Sequence, residues 1–243
     1  MSMFAANLAY LLETQDIRPE ELALAIHSTP EKILAYQQGT AEPGTDELIA
    51  LSRRFSLTID RFLKVDIRKK NQIIRQIDIR LIIMDIDGVL TDGGMYYAES
   101  GDEIKRFNTK DGMALKRLRQ THPEVRFGVI SSGYNFKLIN KRSKFLGIEY
   151  VYTGNHPKID ILSDWCTDMG ITMDNVAFLG DDINDLDCMV KSGVSACPSD
   201  AVDRVKEVAD IVLIKGGGHG CVREFIDEYL EPAMDERARA KNH

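Results

Sequence analysis

The chain has 243 residues, enough for one sizeable domain and a smaller one. Its hydrophobic fraction of 44% and charged fraction of 28% are those of a globular protein, and a formal net charge of −7 gives no overall basic surface for nucleic acid or an anionic membrane. The four cysteines, Cys166, Cys188, Cys197 and Cys221, form no CxxC pair and no metal-ligand spacing, so they read as reduced thiols of a cytoplasmic protein. The first residues lack a basic stretch and reach Glu13 and Asp16 early, so no secretory signal is expected. No apolar run approaches the ~18–20 residues that span a bilayer.

Residues 1–66 read as a small all-α domain of short helices with tight connections. Ala6, Leu8, Leu11 and Leu12 fall roughly on one helical face. Arg18-Pro19-Glu20-Glu21 starts a second helix with proline in its first turn, carrying Leu22, Ala25 and Ile26. Thr29 caps a third, which carries Ile33, Leu34 and Tyr36 and stops at Gly39. Thr45-Asp46-Glu47 opens a fourth with Leu48, Ile49, Leu51 and Phe55, and Thr58 precedes a short turn through Phe62 and Leu63.

The pattern changes after Asp66. Residues 67–77 include the basic run Arg68-Lys69-Lys70-Asn71 and read as a solvated connector. From residue 78 to 231 buried-strand runs alternate with helical stretches, and 232–243 is left as a C-terminal tail. The strands are Ile79–Met84, Val125–Ser131, Tyr150–Tyr152, Val176–Leu179, Val194–Ala196 and Ile211–Ile214. Helices fit at about 113–120, 135–146, 158–169, 185–192 and 200–208, with a last one near 222–230. Such alternation gives an α/β domain, a Rossmann-like parallel sheet covered on both faces, in which ligands bind beyond the carboxyl ends of the strands.

Reactive residue types collect at those ends. Asp85-Ile86-Asp87-Gly88 follows the first strand, and two carboxylates two residues apart can converge there as Gly88 turns the backbone. A calcium loop starting at Asp85 would want glycine at its sixth position and glutamate at its twelfth; Leu90 and Tyr96 stand there instead. The fourth strand ends in Gly180-Asp181-Asp182-Ile183-Asn184-Asp185. Alone, that motif also reads as an acidic helix cap. Joined to the first, it crowds like charges that repel by several kcal/mol at ~4 Å and an intermediate dielectric. A hard divalent cation resolves the repulsion, and oxygen-only donors point to Mg²⁺. Ser131 ends the second strand, and Lys158 opens a helix after Asn155-His156-Pro157, where its ammonium could reach the carboxylates.

The order Asp-x-Asp, Ser, Lys, Gly-Asp-Asp-x-x-Asp resembles the four-motif signature of the haloacid dehalogenase superfamily across residues 78–231. More narrowly, three stretches resemble the capless subgroup of 3-deoxy-D-manno-octulosonate 8-phosphate and nonulosonate 9-phosphate phosphatases. They are Asp85-Ile86-Asp87-Gly88-Val89-Leu90-Thr91-Asp92-Gly93, Phe107-Asn108-Thr109-Lys110-Asp111-Gly112 and Gly216-Gly217-Gly218-His219-Gly220-Cys221-Val222-Arg223-Glu224. The resemblance implies a haloacid dehalogenase fold without a large cap. It implies Asp85 as nucleophile, Asp87 as acid and base, and Ser131 and Lys158 as phosphoryl stabilisers. Mg²⁺ would sit on the Asp85 carboxylate, the Asp87 main-chain carbonyl and Asp181, with Asp182 and Asp185 orienting that shell and Lys158. Asn108, Thr109, Lys110, Asp111 and Gly112 would contact the phosphosugar or shape its site, and Lys116 and Arg142 either meet its carboxylate or stand as solvated helical charges.

Between Asp92 and Val125 only a short hairpin (Met95–Tyr97 and Ile104–Phe107) and one helix fit, too little for a cap. In the resembled subgroup a neighbouring subunit walls the site, which implies a homotetramer. The subgroup usually carries Ile-Ser/Thr-Gly-Arg at its second motif, whereas this chain reads Ile130-Ser131-Ser132-Gly133-Tyr134. The missing arginine puts the substrate in question without touching the phosphoryl chemistry, because its bidentate fork has no equivalent in glycine or tyrosine.

Residues 1–66 also resemble a Cro/repressor-type helix-turn-helix domain, through Leu22-Ala23 and Ile33-Leu34-Ala35-Tyr36-Gln37-Gln38-Gly39. Its charge argues against operator binding: about six Lys/Arg stand against about ten Asp/Glu, and Lys32 is the one cation of the presumptive recognition helix. An assembly or partner-binding role is expected instead. A rival reading makes the chain a DNA-binding regulator with a phosphatase-like sensor; Asp85, Asp87, Lys158 and Asp181 all standing in place favours the enzyme.

Overall fold

The structure, a computed structural model, describes residues 2–55, 57, 59–64, 66–67 and 77–241. The expected Thr58 turn start and the basic run 68–71 lie outside these residues. The chain divides into two compact units, Met1–Gln72 and Ile73–His243. Among the described residues no helix is long and apolar enough to cross a membrane.

The first unit holds helices α1 (Met3–Thr14), α2 (Pro19–Ala25), α3 (Pro30–Gln38), α4 (Thr45–Phe55) and α5 (Ile59–Lys64). The Thr29 hydroxyl accepts from Lys32 N and Gly39 closes α3 in the left-handed region, so the caps stand where the sequence puts them. Leu8, Leu11, Leu12, Leu22, Ile33 and Phe62 are buried. Ala6 is exposed, its expected place inside taken by Phe4 and Ala5, and Leu34 also faces out. Polar ties fix the unit as well. The buried Asn7 donates to Phe62 O (2.9 Å) and accepts from Ile67 N (3.0 Å). Glu47 accepts from Tyr36 Oη (2.6 Å), Ser28 Oγ (2.9 Å), Gly44 N (3.1 Å) and Lys32 Nζ (3.3 Å). Those donors, Tyr36 first, hold the Glu47 carboxyl down at about 2.

The second unit is built on a six-stranded parallel sheet in the order β5-β4-β1-β6-β7-β8. The strands are β1 (Leu81–Met84), β4 (Arg126–Ser131), β5 (Tyr150–Thr153), β6 (Val176–Leu179), β7 (Val194–Cys197) and β8 (Ile211–Val212). An antiparallel hairpin, β2 (Tyr96–Tyr97) with β3 (Glu103–Ile104), is inserted after β1. Helices α6 (Thr109–Thr121) and α7 (Phe136–Leu146) pack on one face of the sheet with α11 (Cys221–Phe225). On the other face lie α8 (Lys158–Met169), α9 (Leu186–Lys191) and α10 (Asp203–Val208).

Strand alternation builds both cores. Ile82, Met84, Phe127, Val129, Ala177 and Leu179 point to the first face, Leu81, Ile83, Ile130, Val176 and Phe178 to the second. Both faces are apolar because both are covered, at ~1.5–3 kcal/mol of stabilisation for each large side chain fully buried. The segment left as a tail continues as a helix, α12 (Glu231–Lys241), reached from α11 through a wide turn at Ile226–Leu230. Pro232 follows directly on that wide turn. Arg117 pairs with Asp227 and Glu231, while Arg237 donates to Ile77 O and pairs with Asp78, so ion pairs and the buried Ala233 extend the helix past its apolar stripe.

Candidate active site

β1 lies between β4 and β6, with Met84 level with both Val129 and Leu179. The residues that follow these strands therefore emerge side by side. Asp85 leaves β1 with its N–H still bonded to Leu179 O (2.9 Å) and is 5% exposed. Its Oδ1 accepts from Ile86 N (2.6 Å) and its Oδ2 meets Lys158 Nζ (2.8 Å). Lys158, also 5% exposed at the start of α8, meets Asp185 Oδ1 at 2.8 Å as well.

Asp185 is completely buried, and its second oxygen accepts from Asp181 N (3.0 Å) and Asp182 N (3.4 Å). Asp181 has no such partners: its Oδ1 is buried without a hydrogen-bond donor. Its carboxylate fills the space a Cβ at Gly88 would take, 2.0 Å from that position, and Gly88 itself has φ +92°. Only glycine allows the two loops to interlock in this way.

Asp85, Asp181 and Asp185 each offer an oxygen within 4.8 Å of the others. Three carboxylates face one ammonium, so burial and mutual repulsion push Asp85 up to about 7 and Asp181 up to about 8. Desolvation works against the Lys158 cation, but the flanking Asp85 and Asp185 hold its pKa above the ordinary lysine value. An excess of negative charge, an orphaned carboxylate oxygen and an all-oxygen donor set fit a divalent metal ion.

Over 153 residues the chain is 39% identical to the 3-deoxy-D-manno-octulosonate 8-phosphate phosphatase KdsC of Salmonella typhi, spanning 63% of this chain and 80% of that one. The chain belongs to the haloacid dehalogenase-like hydrolases. It is a phosphatase. A model of the haloacid dehalogenase-like hydrolase family matches residues 130–224. The crystal structure of 3-deoxy-D-manno-octulosonate 8-phosphate phosphatase from Moraxella catarrhalis, in complex with magnesium ion, phosphate ion and KDO, superposes with a TM-score of 0.64 at 28% identity, covering 71% of this chain and 97% of that one. The cobalt-bound deoxy-D-mannose-octulosonate 8-phosphate phosphatase of Haemophilus influenzae gives 0.62 at 32% identity, covering 69% and 94%.

The remaining site residues of this hydrolase fall into three groups. Ser131 (1% exposed) stands at the strand end, its Oγ accepting from Gly133 N (3.0 Å). A methyl added at Gly133 would lie 3.2 Å from that oxygen and 3.5 Å from Asp87 Oδ2, which puts the hydroxyl and the second aspartate on one side of the cleft. Asp182, expected to steady the metal shell and Lys158, is exposed and turns to Ile183 N (2.7 Å), capping its own turn. Of the two, Asp185 is the one in contact with Lys158.

The 108–112 stretch supports the site from behind. Asn108 caps α6 through Lys110 N (2.9 Å) and donates to Gly218 O (3.1 Å). Asp111, 1% exposed, accepts from Arg223 N (2.8 Å), and burial raises its pKa. Gly112 gives α6 room against Leu146 and Arg142. Thr109 and Lys110 are exposed. Asp111 and Gly112 are buried, and it is Asn108 that ties the glycine loop 216–218, whose Gly217 lies so close to Gly88 O that a Cβ would approach it to 1.9 Å. Lys116 lies over the Phe145 ring (3.9 Å), and Arg142 over Phe107 (5.2 Å), within a cationic-aromatic patch on α6 and α7.

Lys105 escaped sequence reading. Its Nζ contacts Asp87 Oδ1 (2.5 Å) and Glu103 Oε1 (2.7 Å), with a side chain only 3% exposed. The one available signal was the alternation Glu103-Ile104-Lys105, which puts both charges on one side of β3 and its extension.

Proposed function

We propose that this phosphatase is Mg²⁺-dependent and hydrolyses a phosphorylated 2-keto-3-deoxy sugar acid, either 3-deoxy-D-manno-octulosonate 8-phosphate or a nonulosonate 9-phosphate. The observation that carries the reading is Asp85 held by Lys158 beside the unpartnered oxygen of Asp181. The relative's stated substrate and the magnesium, phosphate and KDO in the Moraxella catarrhalis structure support the substrate class and the ion.

In this mechanism an Asp85 oxygen attacks phosphorus in line, and the bond from phosphorus to the sugar oxygen breaks. Asp87 gives its proton to the departing oxygen, and Asp85 carries the phosphoryl group. Asp87 then takes a proton from water as that water attacks phosphorus, freeing phosphate and regenerating Asp85. Ser131 Oγ and Lys158 Nζ stabilise the equatorial oxygens, and Asp185 aims Lys158. Asp85, the Asp87 carbonyl and Asp181 would hold Mg²⁺, which when bound supplies Lewis-acid stabilisation of the phosphoryl charge.

Gly133 and Tyr134 stand where the resembled subgroup carries its arginine, and Tyr134, 77% exposed, accepts from Asn155 Nδ2 through its hydroxyl. Carboxylate recognition then falls to Lys116 and Arg142. The hairpin leaves Met95, Tyr96, Tyr97 and Ile104 at least half exposed, which supports a homotetramer in which a neighbouring subunit covers it. In the helical unit Lys32 is engaged by Glu47 (3.3 Å), which favours assembly or partner binding over DNA.

The test is turnover of a panel of phosphorylated 2-keto-3-deoxy sugar acids beside hexose phosphates, with Mg²⁺ or EDTA, for the native chain and Asp85→Asn. The reading requires metal-dependent, Asp85-dependent preference for the acids. Faster turnover of neutral hexose phosphates would refute the substrate class, and turnover that survives EDTA or the substitution would refute the mechanism.

A further inference from the structure

The hairpin does more than wall the cleft. Glu103 and Lys105 lie on one side of its second strand, while Ile104 between them is 56% exposed. The Lys105 ammonium is buried between Glu103 Oε1 (2.7 Å) and Asp87 Oδ1 (2.5 Å), and Thr91 Oγ1 lies 3.4 Å from that same Asp87 oxygen. Glu103 is tied in turn to Asn135 Nδ2 (3.4 Å), the residue that caps α7 through Leu138 N (3.3 Å). The hairpin is thus bolted to the catalytic loop at one end and to the helix after the Ser131 strand at the other. Asp87 Oδ2 meanwhile borders the Ser131–Gly133 side.

We propose that Lys105 is a positioning residue for the proton transfer: it fixes Asp87 Oδ1, so that Oδ2 gives the proton to the leaving oxygen and later takes one from water, and Glu103 holds Lys105 in that place. The inference rests on Asp87 acting as the acid, as proposed above. Geometry selects the oxygen. A carboxylate free to rotate about its last torsion would present either oxygen, whereas an ammonium at 2.5 Å on Oδ1 leaves Oδ2, on the Ser131–Gly133 side, for the proton transfer. A buried ammonium needs its carboxylate partners, so Glu103 and Asp87 hold Lys105 as firmly as it holds them.

The experiment compares p-nitrophenyl phosphate, whose leaving group departs with little help from an acid, with p-nitrobenzyl phosphate, an alkyl ester of similar size that needs one. A positioned acid contributes about 10²–10⁴-fold, and misplacing it forfeits part of that. Lys105→Met is expected to lower kcat/KM, which covers departure of the leaving group and not the later hydrolysis common to both esters, by about 10–100-fold on the alkyl ester and by less than about 3-fold on the aryl ester. Lys105→Arg should recover most of the loss. In an Asp87→Asn background, Lys105→Met should add almost nothing, because both substitutions remove the same step. Thermal melting followed at Trp165 shows whether each variant folds. If Lys105→Met does not fold, Glu103→Gln takes its place and should show the same ester preference at about 3–10-fold. Equal losses of kcat/KM on both esters, or additive losses with Asp87→Asn, would each overturn the role of Lys105. Failure of Asp87→Asn itself to discriminate between the esters would remove the acid assignment, and Lys105's role with it; discrimination by Asp87→Asn but not by Lys105→Met would remove only the latter.

Discussion

Replacing Asp181 by asparagine should stabilise the metal-free α/β unit at pH 8, although it removes a residue of the active site. Burial and the neighbouring Asp85 and Asp185 raise the Asp181 pKa from 3.8 to about 8. A carboxyl whose pKa is raised on folding disfavours the folded state once it ionises. The penalty is absent below about pH 4, grows between the unfolded and folded pKa values, and is complete near pH 8. Asparagine keeps the shape and carries no charge. Because Asp85 and Asp185 share the repulsion, a net effect of one to two pK units is the reasonable scale, or ~1.4–2.8 kcal/mol. For a unit of this size that is roughly 3–10 °C in melting temperature.

The assay is thermal unfolding in EDTA followed by fluorescence of Trp165. This is the chain's one tryptophan, 5.3 Å from Tyr150 within the α/β unit, so it reports that unit without the helical one. Asp181→Asn should melt higher than the native chain at pH 8, and the difference should shrink as pH falls and vanish below about pH 4. Millimolar Mg²⁺ should then reverse the order, because only the native chain keeps the site that binds the ion. A variant less stable than the native chain at pH 8 in EDTA, or a difference independent of pH, would refute the account of the cluster.

Gly88→Ala places a methyl on the Asp181 carboxylate at φ +92°, so it should lower metal affinity at least ~10-fold by calorimetry and kcat by ~10²-fold. Lys158→Met leaves Asp85 and Asp185 without their shared cation. It should cost ~10²–10³ in kcat and ~3 kcal/mol of α/β-unit stability in EDTA, read by denaturant titration. In the helical unit, Glu47→Gln should speed hydrogen exchange of α3 and α4 amides by the equivalent of ~2 kcal/mol at pH 7, leaving the sheet unaffected. Since the Glu47 pKa is depressed to about 2, its contribution is present above about pH 4.5 and is lost as pH falls toward 2, where native and variant chains should converge.

The elements legible in the sequence were those whose pattern and punctuation agree. Val176–Leu179 is an unbroken apolar run between polar turns, and Lys158–Met169 opens after proline and closes at Gly170, so both stand at their expected bounds. Strand ends also gave the positions of Asp85, Ser131 and Asp181, because a parallel sheet presents its chemistry there. Spacing could not separate Asp182 from Asp185: which of the two turns inward is decided by the turn at Ile183–Asp185, where Asp182 takes its own cap and Asp185 takes Lys158. Lys105 was illegible for a different reason. It lies beyond a two-residue strand on an inserted hairpin, and its partner Asp87 is 18 residues away along the chain. Asp111 and Gly112 carried a family motif whose residues turn inward, and the helix Glu231–Lys241 is held by Arg117 and Arg237 across the fold, a support that local periodicity does not record.

Chemical trapping of the intermediate reaches the central claim most directly. The native enzyme, turning over a phosphosugar with Mg²⁺, is quenched in acid and treated with borohydride, which reduces an acyl phosphate to an alcohol; peptide mass spectrometry then locates the product. Homoserine at position 85, absent from the Asp85→Asn chain and from EDTA-treated enzyme, is the predicted result. Active enzyme that yields homoserine at another carboxylate would contradict it.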